Sequence, residues 1–180
     1  MHTWLFTLSQ KKTKCYSLTH HTFKGYSCYH SYATEVNDIV HGGSAILVNS
    51  STPHRQLNLQ TCLQAVAIRV TCHKTITVCS IYLPPSMIFN TSDFYDVLPQ
   101  LPPPILITGD FNSHSTLWGC TKLDRRGKVV EDILIKHNFT VHVYYLWKKQ
   151  SSYCQHQQTT ARSVSSICLG SRWHCKKTGL

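Results

Sequence analysis

Residues Ile105–His114 read ILITGDFNSH. The apolar run ILIT follows Pro102, Pro103 and Pro104 and is too short for a helix, so it predicts a buried strand. In an extended chain residues i and i+2 point to the same side. Asp110 and Asn112 would then face one way together, with Phe111 turned toward the core. An acid and an amide side by side at a strand end can handle a water molecule and an anionic substrate. Gly, Asp and Asn are equally the residues of a plain turn. At this level both readings stand.

Working outward, the neighbouring segments supply a sheet. SAILVN at Ser44–Asn49 leaves the flexible pair Gly42-Gly43 and reads as a strand. AVAIRV at Ala65–Val70 alternates, with Val66, Ile68 and Val70 on one face, and TITVCSIY at Thr75–Tyr82 alternates likewise. The short gap between these runs suits a hairpin. Pro84-Pro85 ends the second run, because proline cannot donate to a ladder. Ser92 or Asp93 is predicted to cap a helix reaching about Leu98, on which Phe94 and Leu98 share a face. After Asp124-Arg125-Arg126-Gly127 the best helical stripe carries Val129, Val130, Ile133 and Leu134. Phe139–Tyr145 reads as the last strand. Beyond Trp147 the chain turns polar and aperiodic, KKQSSYCQHQQTTARSVSS. No internal repeat occurs. Strands mixed with a few helices predict a layered α/β or α+β domain.

A length of 180 residues suits one domain with a sizeable core. No apolar run approaches the ~18 residues of a membrane span, and the start MHTWLFTLSQKK lacks the pattern of a secretion signal. The expectation is a nuclear or cytoplasmic protein, not secreted, in which the sequons at Asn49, Asn90 and Asn138 carry no weight. Nine scattered cysteines without a C-x-x-C pair fit reduced thiols. The twelve histidines show no zinc-finger spacing and read as unliganded surface residues. The net charge of +10 is uneven: all eight acids lie within residues 35–132, and both flanks are basic. Such flanks are compatible with a polyanionic partner without identifying one.

FKGYSCYH, GGSAILV, AVAIRV, SIYLPP, ILITGDFNSHSTLWG and DRRGKVVEDIL occur here in an order and spacing that resemble one family. It is the endonuclease domain of jockey-like non-LTR retrotransposons, within the endonuclease/exonuclease/phosphatase superfamily. The match covers about residues 22–140; GDFN alone is weak, whereas GDFN followed by LWG and DRRG is specific. The resemblance implies an α/β fold, a four-layer sandwich of two packed β-sheets flanked by helices, truncated here. It implies hydrolysis of a DNA phosphodiester with magnesium held by carboxylates. In full-length elements the freed end primes synthesis by a linked RNA-directed DNA polymerase. Placed on this chain, Asp110 is the base that orients and deprotonates water, Asn112 its partner, and Tyr82 the phosphate-contacting tyrosine. His114 falls behind the catalytic set rather than on the metal. Trp118 and the Arg125-Arg126-Gly127 turn read as architectural, although an arginine there can also touch backbone phosphate.

The ends depart from the family pattern. Where a metal-binding glutamate is expected, Gln10 is followed by Lys11, and no acid occurs in residues 1–34. In SSICL, Ser165–Leu169, Cys168 stands where an aspartate belongs. The first-strand asparagine and a final Ser-Asp-His motif are not found. The expected organisation is therefore a domain over 22–145, incomplete at both ends, a divergent remnant over 1–21 and a basic degenerate tail over 146–180. The expected function is magnesium-dependent DNA nicking, impaired in this copy, with DNA as partner and no small-molecule cofactor. The rivals are a non-catalytic fragment that binds nucleic acid weakly, and another phosphoesterase of the superfamily, against which LWG and DRRG argue.

Overall fold

Apolar alternation in two consecutive segments builds the centre of the molecule. In the computed structural model, which describes residues 5–9, 23–31, 34–36, 39–143 and 167–171, they form a hairpin within a larger sheet. The chain begins with β1 (Leu5–Ser9), β2 (Tyr26–Ser31), β3 (Thr34–Val36), β4 (Ile39–His41) and β5 (Ser44–Asn49). It continues through β6 (His54–Leu57), β7 (Gln64–Thr71), β8 (Thr75–Tyr82), α1 (Thr91–Val97) and β9 (Ile105–Asp110). The last elements are α2 (Arg125–His137), β10 (Phe139–Val143) and β11 (Ile167–Ser171). A three-stranded sheet has the order β1-β5-β2 and a six-stranded sheet the order β10-β11-β9-β8-β7-β6, while β3 and β4 form a separate ribbon. In the large sheet β8 and β9 run parallel and the other neighbours antiparallel.

The side-chain period of two divides the core into two clusters. On one face of the large sheet, Val66, Ile68, Val70 and Val78 meet Ile46 and Val48 of β5. That is the interior between the sheets, and Ile46, Ile68 and Val78 are fully buried there. Polar groups are built into it as well: Ser44, Gln64 and Ser80 are buried, and the Ser44 hydroxyl donates to the Gln64 carbonyl at 3.2 Å and to that of Ser80 at 3.0 Å. On the opposite face Ala67, Cys79, Ile81 and Ile107 meet Phe94 and Val97 of α1 and Val130, Ile133 and Leu134 of α2. Burying a side chain such as Ile81 or Ile133 contributes about 1.5–3 kcal/mol. Burial also pushes the Cys79 thiol up to about 12, so it packs as a small hydrophobe.

The helix starts are set locally. Asp124 caps α2 by accepting from the Gly127 N–H at 2.5 Å, and Asn138 ends the helix at φ 52. For α1 the expected cap at Ser92 or Asp93 is corrected to Asn90. Its N–H donates to Asp93 Oδ2 at 2.7 Å, so Asp93 is the acid that reaches back. The helix ends at Val97, and Leu98–Gln100 tightens into a 3-10 turn.

Both flanks of the 22–145 core drawn from the sequence contribute strands. β1 pairs along β5, with Leu5 opposite Val48. The expectation that Phe139–Tyr145 is the last strand is corrected, because β11 lies between β9 and β10 and bonds to both.

Candidate active site

The site is built where two parallel strands end together. Tyr82 closes β8, Asp110 closes β9, and the two are register partners. Pairing runs one residue further, with the Leu83 N–H donating to the Asp110 carbonyl at 3.0 Å. Gly109 makes this approach possible. Its φ is +148°, and a Cβ there would lie 1.8 Å from the Ile81 carbonyl oxygen. Gly42 does the same for the tyrosine: at φ +79°, a Cβ would stand 2.0 Å from Tyr82 Cε1.

The strand does not carry through Asn112. It ends at Asp110, and Asn112 adopts φ 44°, so the acid and amide meet through a turn and not through strand alternation. The Asn112 N–H donates to Asp110 Oδ1 at 2.9 Å. Its side-chain Nδ2 donates to the Leu83 carbonyl at 3.0 Å, which ties the turn to the end of β8. Phe111 between them is 2% exposed and stacks on Phe94, ring centroids 6.4 Å apart. Tyr82, Asp110 and Asn112 are thus brought to one edge, with Phe111 turned inward. Tyr82 is itself only 2% exposed. Burial pushes its phenol up, the Asp110 charge adds to this, and the Arg126 charge works against it.

Arg126 holds the edge together. Its Nη2 donates to the carbonyls of Leu83 and Phe111, each at 3.0 Å, and Nη1 to that of Met87 at 2.6 Å. The guanidinium also lies 4.6 Å over the Phe89 ring. One side chain on α2 therefore ties the ends of β8 and β9 to the loop that follows β8. Burial pulls the Arg126 pKa down, while Asp124 and Asp110 favour its charged form. The sequence pointed to this turn as architectural, but not to its three carbonyl partners, which come from segments 15 to 43 residues away.

His114 lies beside this edge and half-exposed, with Nδ1 2.7 Å from Asp124 Oδ2. Trp118 is buried and donates to the Ser113 carbonyl at 3.2 Å. Asp124 is a site-supporting residue that sequence reasoning had left in a motif without a role. Its place just before a helical stripe is the signal that could have given it one.

A magnesium ion needs several oxygen ligands, usually with more than one carboxylate at hand. Among the described residues no group of three His, Cys, Asp or Glu could hold an ion. The acids on segments bordering the edge are Asp110 and Asp124, and Asp124 caps α2 and engages His114. Cys168 is in register with Thr108 of β9 and His142 of β10, and a thiol is a soft donor poorly suited to magnesium. Lys11 lies outside the described residues. Among the described residues, the donor set on this edge does not fit the ion.

Comparison with known proteins bears on the fold and the family. The sequence model of the endonuclease-reverse transcriptase family matches residues 76–171. The chain is 28% identical over 120 residues to the RNA-directed DNA polymerase from mobile element jockey of Drosophila melanogaster, a match over 65% of this chain and 13% of that protein. It is 28% identical over 97 residues to the probable RNA-directed DNA polymerase from transposon X-element of the same fly, over 52% of this chain and 11% of that protein. The chain thus spans a small part of the length of these relatives. Its fold resembles the endonuclease domain of TRAS1, a telomere-specific non-LTR retrotransposon. The TM-score is 0.60 at 18% identity, covering 83% of this chain and 68% of that one.

Two packed sheets, the larger covered on its outer face by α1 and α2, together with the family match, define a domain of the endonuclease/exonuclease/phosphatase type. Within that class the family match and the curated relatives narrow the assignment. The chain belongs to the endonuclease-reverse transcriptase family, as an endonuclease-like domain of the non-LTR retrotransposon kind. Among the described residues no helix is long and apolar enough to cross a membrane.

Proposed function

We propose that this chain engages DNA at the Tyr82–Asp110–Asn112 edge as a retrotransposon endonuclease module, and that hydrolysis is impaired in this copy. The observation that carries the reading is the register pairing of Tyr82 with Asp110, closed by the bond from Asn112 to the same carboxylate. Asp110 is the group that orients and deprotonates water. Asn112 holds that carboxylate through its backbone N–H, and its side-chain Nδ2 has a second N–H, beyond the bond to Leu83, to offer a phosphate oxygen. A phosphodiester is already negative, so attack on it also requires stabilisation of the charge that develops. Arg126, the cation that clamps this edge, has its Nη donors turned to backbone carbonyls. Among the described residues, the edge therefore holds groups for water and phosphate without a set of carboxylates for the metal. A nuclear or cytoplasmic location goes with a DNA substrate and reduced thiols.

Loss of one well-placed electrostatic group typically costs ~10²–10³ in rate. Groups acting as a unit are not additive, so such factors are not multiplied. Plasmid nicking in magnesium, with the full chain beside Asp110→Ala and Cys168→Asp, tests the reading. The expected result is background nicking by both the unmodified chain and Asp110→Ala, with duplex binding that weakens steeply with salt. Nicking above background by Cys168→Asp would strengthen it. Nicking by the unmodified chain that Asp110→Ala abolishes would overturn the impairment and leave the endonuclease reading standing. Absence of any duplex binding would overturn the DNA reading itself.

A further inference from the structure

The segment after β8 is fixed in place yet carries an apolar tip into solvent. The Met87 N–H closes a turn onto the Pro84 carbonyl at 3.0 Å, and the Met87 carbonyl accepts from Arg126. Phe89 is 4% exposed, pinned between the Arg126 guanidinium and an edge-to-face contact with Phe94. Between these two anchors Ile88 is 81% exposed. A flexible loop could hide such a side chain, but one held at both neighbours cannot.

Among the described residues the exposed large hydrophobics are Phe23, Ile88, Leu117, Leu123 and Ile135. Ile88, Leu117 and Leu123 lie on segments bordering the Asp110 edge: the loop after β8, the Thr116–Trp118 turn and the approach to α2. Apolar groups gathered beside charged ones mark a binding surface, and Pro85, Met87, Ile88 and Phe89 are gathered so beside Arg125 and Arg126. Ile88 also lines, with Arg125 and Arg126, a hollow of about 170 Å³. Arg125 and Lys122 are exposed. The nearby carboxylate of Asp124 is taken up by its helix cap and by His114.

We propose that Ile88 is a wedge that contacts base or sugar faces of duplex DNA beside the phosphate at Asp110, with Arg125 on the adjoining backbone. This rests on the DNA reading above and names the surface that would place the duplex. The chemistry favours DNA because the patch joins an apolar tip to exposed cations. Proteins that bend or open a duplex combine apolar residues set between base steps with cations on flanking phosphates. Fixing the tip beforehand lowers the ordering cost of binding.

The test uses the full chain, a labelled duplex for anisotropy and a second duplex carrying 2-aminopurine. Binding of the unmodified chain should raise the 2-aminopurine signal. Ile88→Ala should lose that rise and weaken binding by up to about tenfold without changing the salt slope. Arg125→Ala should lower the slope of log affinity against log salt by about one. Ile88→Lys separates a wedge from a general basic surface, since added charge restores affinity without the 2-aminopurine rise only if the apolar tip is what opens the stack. Ile135→Ala, 72% exposed on α2, is the control and should change nothing. If the unmodified chain binds duplex while Ile88→Ala keeps both affinity and signal, the wedge is wrong and the DNA reading survives. If the unmodified chain does not bind duplex, both fall together.

Discussion

His114 Nδ1 and Asp124 Oδ2 lie 2.7 Å apart, and the same Asp124 side chain caps α2 through its other oxygen. One carboxylate therefore joins the segment after the Asp-Asn turn to the helix that supplies Arg126. Burial pushes the Asp124 carboxyl up, but the hydrogen bonds from the Gly127 N–H and from His114 outweigh it and leave it below the ordinary 3.8. A carboxylate depressed in the folded state adds stability that is full above 3.8 and is lost as pH falls through the lower folded value. Melting curves on the acid limb should show Asp124→Asn losing less stability than the unmodified chain below about pH 4. At neutral pH Asp124→Ala should cost about 1 kcal/mol, from loss of the cap. Equal acid limbs for the two proteins would refute the linkage.

Two glycines should respond differently to the same added methyl group. A Cβ on Gly127 would stand 1.8 Å from the His114 carbonyl oxygen, whereas one on Gly25 meets nothing within 4 Å. Gly127→Ala gains helix propensity of about 1 kcal/mol. The backbone clash should outweigh it, for a net loss of about 1–3 kcal/mol. Gly25→Ala has only its left-handed φ of +81° against it and should cost about 1 kcal/mol. Urea unfolding of both variants decides this, and equal losses would mean the helix can shift away from His114.

Arg126→Lys retains a positive charge but cannot span three carbonyls with one ammonium. Hydrogen bonds from charged donors contribute about 1.5–3 kcal/mol each, and they are not additive here because they share one side chain. Arg126→Ala should lose on the order of 3 kcal/mol, with Arg126→Lys recovering less than half. Amide hydrogen exchange should rise first in residues 83–89 and 111–112 in both variants. Unchanged protection there would show that the loop stands without its clamp.

Asn112 combines a left-handed backbone with a donor to the Leu83 carbonyl, and its substitutions separate the two roles. Asn112→Gly keeps the conformation and loses the bond, for about 1 kcal/mol. Asn112→Ala loses both and should cost about 2 kcal/mol. Asn112→Asp sets a carboxylate against a carbonyl and should be the least stable of the three at neutral pH. Thermal unfolding ranks them, and Gly falling below Ala would reverse the argument.

The strands that carry the edge were legible because alternation over eight residues and flanking prolines leave one face for the core. Val66, Ile68 and Val70 share the inner face as their spacing requires, and Phe111 is buried as ILITGDF suggests. The meeting of Asp110 with Asn112 was also legible, but its means was not. A left-handed residue after a strand leaves no periodic trace, and turn and strand readings predict the same neighbours. The cap at Asn90 was missed because Ser92 and Asp93 have equal local claims, and the bond back from Asp93 decides among them. β11 escaped as a strand because its place depends on hydrogen bonds to two distant neighbours more than on any pattern of its own. Arg126 is similar, since carbonyl acceptors have no sequence signature.

The position of β11 has a bearing on synthesis of the chain from its amino end. β10 reaches the large sheet only through β11, so residues 139–143 have no partner strand there until residues 167–171 have emerged. Until then β9, which ends in the candidate base Asp110, presents an open row of backbone donors and acceptors along one side. A nascent or shortened chain stopped before Ile167 would offer that row to another copy of itself. Such a chain should sediment as aggregates, and the arrival of β11 is what protects the edge of β9.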